Sequence, residues 1–186
     1  MFSGKKGAIE LSIGTIVIIV LSMSMLILGL VLVKSIFSGS ISIADMTTEQ
    51  LKNQVSQMFG EDKKLVIYPD SRMITLKKGK VDGFGIGLKN LIEGSAETAK
   101  FSYEVVVSDP DLRRKCGIGD RDAENYISTG RTEDNIPLGP GQITSTKVLF
   151  NIPPTAPLCT LRYRVNVKQD NQPYASDIID VIIKAA

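Results

Sequence analysis

The sequence predicts an α+β chain, a long N-terminal hydrophobic α-helix followed by an immunoglobulin-like antiparallel β-sandwich. Three observations carry this prediction. No charged residue occurs from Leu11 to Val33. Beyond Gly60 the apolar spacing changes from the helical period to alternation. About seven strand-like runs then follow with no helical pattern between them.

The helix comes first. At about 1.5 Å per residue the uncharged run reaches roughly 35 Å, enough to cross a bilayer and too long for the apolar core of an ordinary secretory signal. Lys5 and Lys6 bias the N-terminal flank toward the cytoplasm and the body toward the outside, and Lys34 on the far flank reduces the asymmetry. No G-x-x-x-G occurs in the span, so the tight helix pair that motif supports is not indicated.

Lys34-Ser35-Ile36-Phe37-Ser38-Gly39-Ser40 ends the apolar pattern, and a second helical pattern follows. Thr47-Thr48-Glu49-Gln50 has capping-box spacing, and Leu51, Val55 and Met58 or Phe59 share one face. The expectation is a helical stalk from Ala8 to Phe59 with a weak point near Gly39. The organisation is then a leader at 1–7, the helix and stalk at 8–59, and the β-domain at 60–186.

Strands are expected at Lys64–Tyr68, Met73–Lys77, Gly83–Ile92, Lys100–Val107, Ile143–Ile152, Leu158–Lys168 and Ser176–Ile183. Alternation is clearest from Leu161 to Lys168, where Leu, Tyr, Val and Val face one way and Arg, Arg, Asn and Lys the other. The polar stretch Ser108–Pro140 reads as an exposed insertion between strands.

Composition excludes several chemistries. The chain has 22 basic and 20 acidic residues. Once Lys5, Lys6, Glu10 and Lys34 are set aside with the hydrophobic segment, the body is neutral, which argues against a nucleic-acid partner. With no histidine there is no Ser-His or Cys-His nucleophile, and two cysteines alone do not make a zinc site. Gly83-Phe84-Gly85-Ile86-Gly87 lacks the spacing of a dinucleotide loop and alternates like a strand, so its glycines are expected to admit a close neighbour. Asp120, Asp122 and Glu124 alternate like the start of a calcium loop, but Asn125 stands where that loop needs glycine. The expectation is a non-enzyme without metal or cofactor. Cys116 and Cys159 either form one disulfide or remain two small buried thiols.

The basic leader MFSGKKG ends at Gly7, directly before Ala8-Ile9-Glu10 and the apolar run. Lys5-Lys6-Gly7 followed by Ala8 resembles the class III signal peptide of archaeal type IV pilin and archaellin precursors. Ser12-Ile13-Gly14-Thr15-Ile16-Val17 is similar to the start of the archaellin helix. The resemblance implies a cut between Gly7 and Ala8 by a prepilin-peptidase-type signal peptidase. It also implies a membrane-inserted precursor that becomes a homo-oligomeric surface filament, its core packed through Glu10, Ile13, Ile16, Val20 and Leu28. Glu10 would be the third mature residue, whereas bacterial-type pilins carry their glutamate at the fifth. Further on, Pro140-Gly141-Gln142, Val148 to Pro153, Leu161 to Val167 and Ile178 to Ile183 resemble the last strands of adhesion-type Ig-like modules of archaeal surface proteins. The leading expectation is therefore a subunit of a pilus-like filament. The alternative is a non-polymerising, membrane-anchored binding or archaellum stator-like accessory protein.

Overall fold

A computed structural model describes residues 10–38, 42–92 and 98–186, and the chain divides into two units, Met1–Ile41 and Ser42–Ala186. Lys5, Lys6, Gly7, Ala8 and the side chains of Glu10 and Ile13 lie outside the described residues. In the first unit, helix α1 spans Glu10–Ser38. Its leucines, isoleucines and valines favour or tolerate helix, and the absence of proline leaves the hydrogen-bond ladder uninterrupted.

The second unit opens with a turn, not with the continuation of a stalk. The N–H groups of Asp45 and Met46 both donate to the Ser42 carbonyl, at 3.0 and 3.3 Å. Helix α2 (Thr48–Met58) then starts afresh behind Thr47, whose extended backbone (φ −72°, ψ 159°) marks it as a cap. The expected capping box forms. Thr47 Oγ1 accepts the Gln50 N–H at 3.2 Å, and Gln50 Oε1 accepts the Thr47 N–H at 2.8 Å. The boundary expected between 59 and 60 therefore falls at Ile41/Ser42. The reason is burial, because Ile43 and Met46 pack with Leu51, Val55 and Val66 against the β-domain.

Nine strands follow: β1 (Leu65–Tyr68), β2 (Met73–Lys77), β3 (Val81–Lys89), β4 (Ala99–Val107), β5 (Ile127–Thr129), β6 (Thr132–Leu138), β7 (Ile143–Asn151), β8 (Thr160–Gln169) and β9 (Gln172–Lys184). They form a four-stranded sheet in the order β1-β3-β7-β5 and a five-stranded sheet in the order β2-β9-β8-β4-β6. All pairings are antiparallel except β2 with β9, which is parallel. Successive strands β3 and β4 lie in different sheets, and their partners β7 and β8 do likewise. This interlocked arrangement defines an immunoglobulin-like sandwich.

The stretch Ser108–Pro140 departs from the expected exposed insertion. It holds helices α3 (Leu112–Cys116) and α4 (Asp120–Glu124) together with β5 and β6. Leu112, Cys116, Ala123, Tyr126, Ile127 and Leu138 from it are buried in the main core. The apolar residues are too widely spaced among charges for a periodic signal, yet each short element contributes at least one to the core.

Alternation assigns the faces. On β3, Phe84, Ile86 and Leu88 point between the sheets, while Gly83, Gly85 and Gly87 form the outer face. Helix α2 lies on that glycine stripe. A Cβ on Gly85 would overlap Leu51 Cδ1, and one on Gly87 would overlap Val55 Cγ1 and crowd Val66 and Phe59. At the centre of the sandwich, Phe84 stacks near Phe150 at 5.9 Å, and Phe150 meets Tyr163 edge-on at 5.1 Å. Tyr163 is fully buried, and its hydroxyl donates to the Ala123 carbonyl at 2.8 Å, tying α4 to β8.

Gly85→Ala should cost about 1–3 kcal/mol by overpacking, and the cost should shrink in the Leu51→Ala background; additive losses in a denaturation double-mutant cycle would contradict the contact. Burial, reinforced by neighbouring Tyr126 and Glu124, pushes the Tyr163 phenol far above the ordinary tyrosine range. The folded chain thus keeps a proton that the unfolded chain releases near pH 10. Stability is complete below that pH and falls above it, by about 1.4 kcal/mol per pH unit for this group. Tyr163→Phe should lose about 1 kcal/mol at neutral pH with its hydrogen bond and decline less steeply in alkaline urea titrations. An unchanged alkaline slope would count against this assignment.

Candidate functional site

The feature of the first unit is the surface of α1. Gly14–Leu32 is a span of 19 residues long and apolar enough to cross a membrane, and at about 1.5 Å per residue it measures roughly 28 Å. Side chains all round the helix are exposed, among them Ile16 at 57%, Val20 at 56% and Leu28 at 68%. A helix apolar on every side requires an apolar surrounding. The hydroxyl of Ser24 donates to the Val20 carbonyl at 2.8 Å, so this polar group is satisfied within the helix.

In the second unit the two sheets have different outer faces. Among the described residues of this unit, the four-stranded sheet is covered by α2, whereas no helix lies on the outer face of the five-stranded sheet. One part of the open face is neutralised internally. Arg162 makes a two-pronged pair with Asp180 across β8 and β9, at 2.8 and 3.0 Å, and Arg72 meets Asp177 at 3.0 Å. Hydrogen bonding and the charge of Asp180 raise the guanidinium of Arg162 further above its usual range.

Another part of the same face is a shallow basin of about 710 Å³ crossing β6, β4, β8 and β9. Register shifts lie beside it, between Phe101 and Tyr103 where β4 meets β6 and between Val167 and Lys168 where β8 meets β9. Such irregularities bend a sheet. Ser102, Glu104, Thr132, Asp134, Asn166 and Lys168 line the basin, and their side chains make no hydrogen bond or ion pair among the described residues. Beneath it, burial raises the Tyr103 phenol, whose oxygen lies 3.5 Å from Thr146 Oγ1.

Cys116 and Cys159 are bonded as a disulfide, with their Cα atoms 5.7 Å apart. The bond joins the end of α3 to the residue before β8. Gly117, at φ +70°, ends α3 and turns the chain away. Asp120, Asp122 and Glu124 do not converge on a cation. Asp122 accepts the Gly119 N–H at 3.2 Å, and Glu124 pairs with Arg131 at 2.7 Å. Among the described residues no group of three or more His, Cys, Asp or Glu is placed to hold a metal.

Two residues that the sequence did not single out hold the start of this unit. Asp82 Oδ1 accepts the N–H groups of Ile43 and Gly83, each at 2.8 Å. Lys147 Nζ donates to the carbonyls of Ala44, at 3.5 Å, and Met46. A lone aspartate and a lone strand lysine carry no motif, so only the fold reveals their shared target.

The fold and these surfaces define a class, an immunoglobulin-like β-sandwich carrying an N-terminal apolar helix of membrane-spanning length. No family model matches the chain, and no curated protein matches it. Among solved structures it is similar to the CARDB domain of the PF1109 protein from Pyrococcus furiosus, crystallised with di-metal ions. That likeness has 12% identity and a TM-score of 0.38, covering 64% of this chain and 87% of that one. The periplasmic chaperone SfaE is similar at 10% identity and TM-score 0.37, over 65% of this chain and 56% of its own. A PapD-like domain of human CEP192 is similar at 11% identity and TM-score 0.35, over 69% and 90%. The sandwich assignment rests on this chain's own strand order.

The disulfide yields a stability prediction. It closes a loop between cysteines 43 positions apart, for which the chain-entropy relation gives about 4 kcal/mol. Cys116→Ser combined with Cys159→Ser should lower the denaturation free energy by about 2–5 kcal/mol relative to the oxidised protein. A difference within error between the two would show that the bond does not constrain the unfolded chain.

Proposed function

We propose that this chain is a structural subunit of an archaeal type IV pilus-like surface filament. The precursor inserts through α1 with its sandwich outside the membrane. A prepilin-peptidase-type enzyme cuts between Gly7 and Ala8, removing Lys5 and Lys6, and α1 then packs with its counterparts in the filament core. The observation that carries the reading is the apolar surface of α1, exposed on all sides over Gly14–Leu32 and preceded in the sequence by Lys5-Lys6-Gly7-Ala8. Such a surface is stable only in lipid or against other apolar helices, and a filament core supplies the second environment once the helix leaves the first. The sandwich is the displayed part, held by a disulfide suited to an oxidising exterior. The reading assigns the chain no catalysis and no cofactor.

A second reading has a specific observation in its favour. The Ser42–Met46 turn interrupts the stalk expected from Ala8 to Phe59, and α2 belongs to the head. This suits a non-polymerising, membrane-anchored binding or archaellum stator-like accessory protein, which needs a span and a head but no continuous stalk.

Mass spectrometry of cell-derived protein should find Ala8 as the first residue, and an intact Met1 or Phe2 terminus would remove the processing claim. Immunogold labelling of a tag fused after Ala186 should decorate filaments. Decoration of the envelope alone, with Ala8 as the first residue, would select the second reading.

A further inference from the structure

The load path into the head begins at Ser42, whichever way α1 is held. This follows from covalent connection, since a pull carried along the backbone from the N-terminal unit enters the second unit at that residue. The question is whether such a pull would strip the first structured segments away one by one. Helix α2 is short, 11 residues, and lies on the outside of the four-stranded sheet. Its apolar contacts come chiefly from Leu51 and Val55, with Met58 and Phe59 at its far end. Force applied directly to its first turn would load these contacts from one end, Leu51 first and Phe59 last.

The head places two polar side chains ahead of α2. Asp82 at the start of β3 accepts the Ile43 N–H at 2.8 Å and is itself braced by the Gly83 N–H at the same distance. Lys147, in the middle of β7, reaches the carbonyls of Ala44 and Met46. Ile43 and Met46, between and beside these bonds, are 3% and 4% exposed. The three hydrogen bonds to this segment, at Ile43, Ala44 and Met46, fall within five consecutive residues, Ser42–Met46, before the helix cap at Thr47. Their other ends lie on β3 and β7, the two inner strands of the sheet, paired with each other from Val81↔Asn151 to Lys89↔Ile143.

We propose that Asp82 and Lys147 form a clamp that passes tension from residue 42 directly into the β3–β7 pair, so that α2 stays seated while the protein is pulled through its N-terminal unit. This rests on the reading that the chain is anchored or polymerised through α1. The chemistry fits the task. The aspartate takes a backbone donor and the lysine takes backbone carbonyls, so the turn is held by charge-assisted hydrogen bonds to main-chain atoms. Three such bonds at Ile43, Ala44 and Met46 share a pull before it reaches Leu51 and Val55. Gly85 is the register partner of Lys147, and its missing side chain leaves Leu51 room to sit on the sheet beside the lysine.

The test is single-molecule pulling of the full chain in detergent, with handles at position 42 and at the C-terminus. The native protein should unfold without an early release. Lys147→Ala and Asp82→Asn should each add a low-force event before the sandwich yields, freeing the segment up to Lys64, at most about 80 Å of extended chain. A second geometry, with handles at position 64 and at the C-terminus, leaves the clamp outside the load path. There the same variants should unfold at the native force. Three results would overturn the proposal: early release in the native protein, no early release in either variant, or an equal loss of force in both geometries, which would mark the two residues as general stabilisers. None of these results bears on whether Ala8 is the mature terminus, so failure of the clamp and failure of the filament reading are separable.

Discussion

The fit of α2 on β3 depends on the absence of two side chains, at Gly85 and Gly87. Gly83, Gly85 and Gly87 alternate with Phe84, Ile86 and Leu88, so one strand supplies a full apolar row to the interior and a bare surface to the exterior. The bare surface lets the helix approach until Leu51 and Val55 occupy the space that Cβ atoms would take at Gly85 and Gly87. Glycine in a strand interior costs conformational entropy, and here the close packing of a second hydrophobic cluster offsets it. Gly83 meets a different limit, since a Cβ there would run into the Val148 carbonyl of the neighbouring strand.

That arrangement makes the two outer faces of the sandwich unequal. The glycine-striped face is apolar and covered, and the turn that precedes its helix is pinned by Asp82 and Lys147. The opposite face is polar and uncovered, partly neutralised by Arg162–Asp180 and Arg72–Asp177 and partly left as a basin with unpaired polar side chains. Between them one continuous core draws on both sheets, from Ile67 of β1 to Ile183 of β9, centred on Phe84, Phe150 and Tyr163. The disulfide and the Tyr163 hydroxyl attach α3 and α4 to the same side of this core, through Cys159 before β8 and through β8 itself. Segments with little apolar content are thereby held by a few strong local contacts.

Much of this was legible in the residues. The apolar run from Leu11, the capping box at Thr47 and Gln50, and the alternating strand from Leu161 obey short-range rules that sequence displays directly. The seven expected strands all occur, with ends displaced by a few residues at most. The stretch from Ser108 to Pro140 was not legible as structure, because Leu112, Cys116, Ala123 and Ile127 lie one or two to a short element and Tyr126 lies between elements. A period needs repetition, and elements of three to five residues offer none. The stalk failed for a related reason, since helical spacing on both sides of Gly39 does not reveal that Ile43 and Met46 are drawn into a distant sheet.

The sequence by itself determined the class of each segment: a helix apolar all round, a capped amphipathic helix, alternating strands, and a chain without histidine. These follow from hydrophobic period and from the local chemistry of caps and turns. Tertiary structure decided which glycine face receives the helix, where the helical unit gives way to the head, and that Cys116 meets Cys159. It also decided that Asp82 and Lys147, 65 positions apart, hold the same five residues. The physical reason is that these outcomes depend on which strands become neighbours, a property of sheet pairing over long sequence separations that no local pattern encodes.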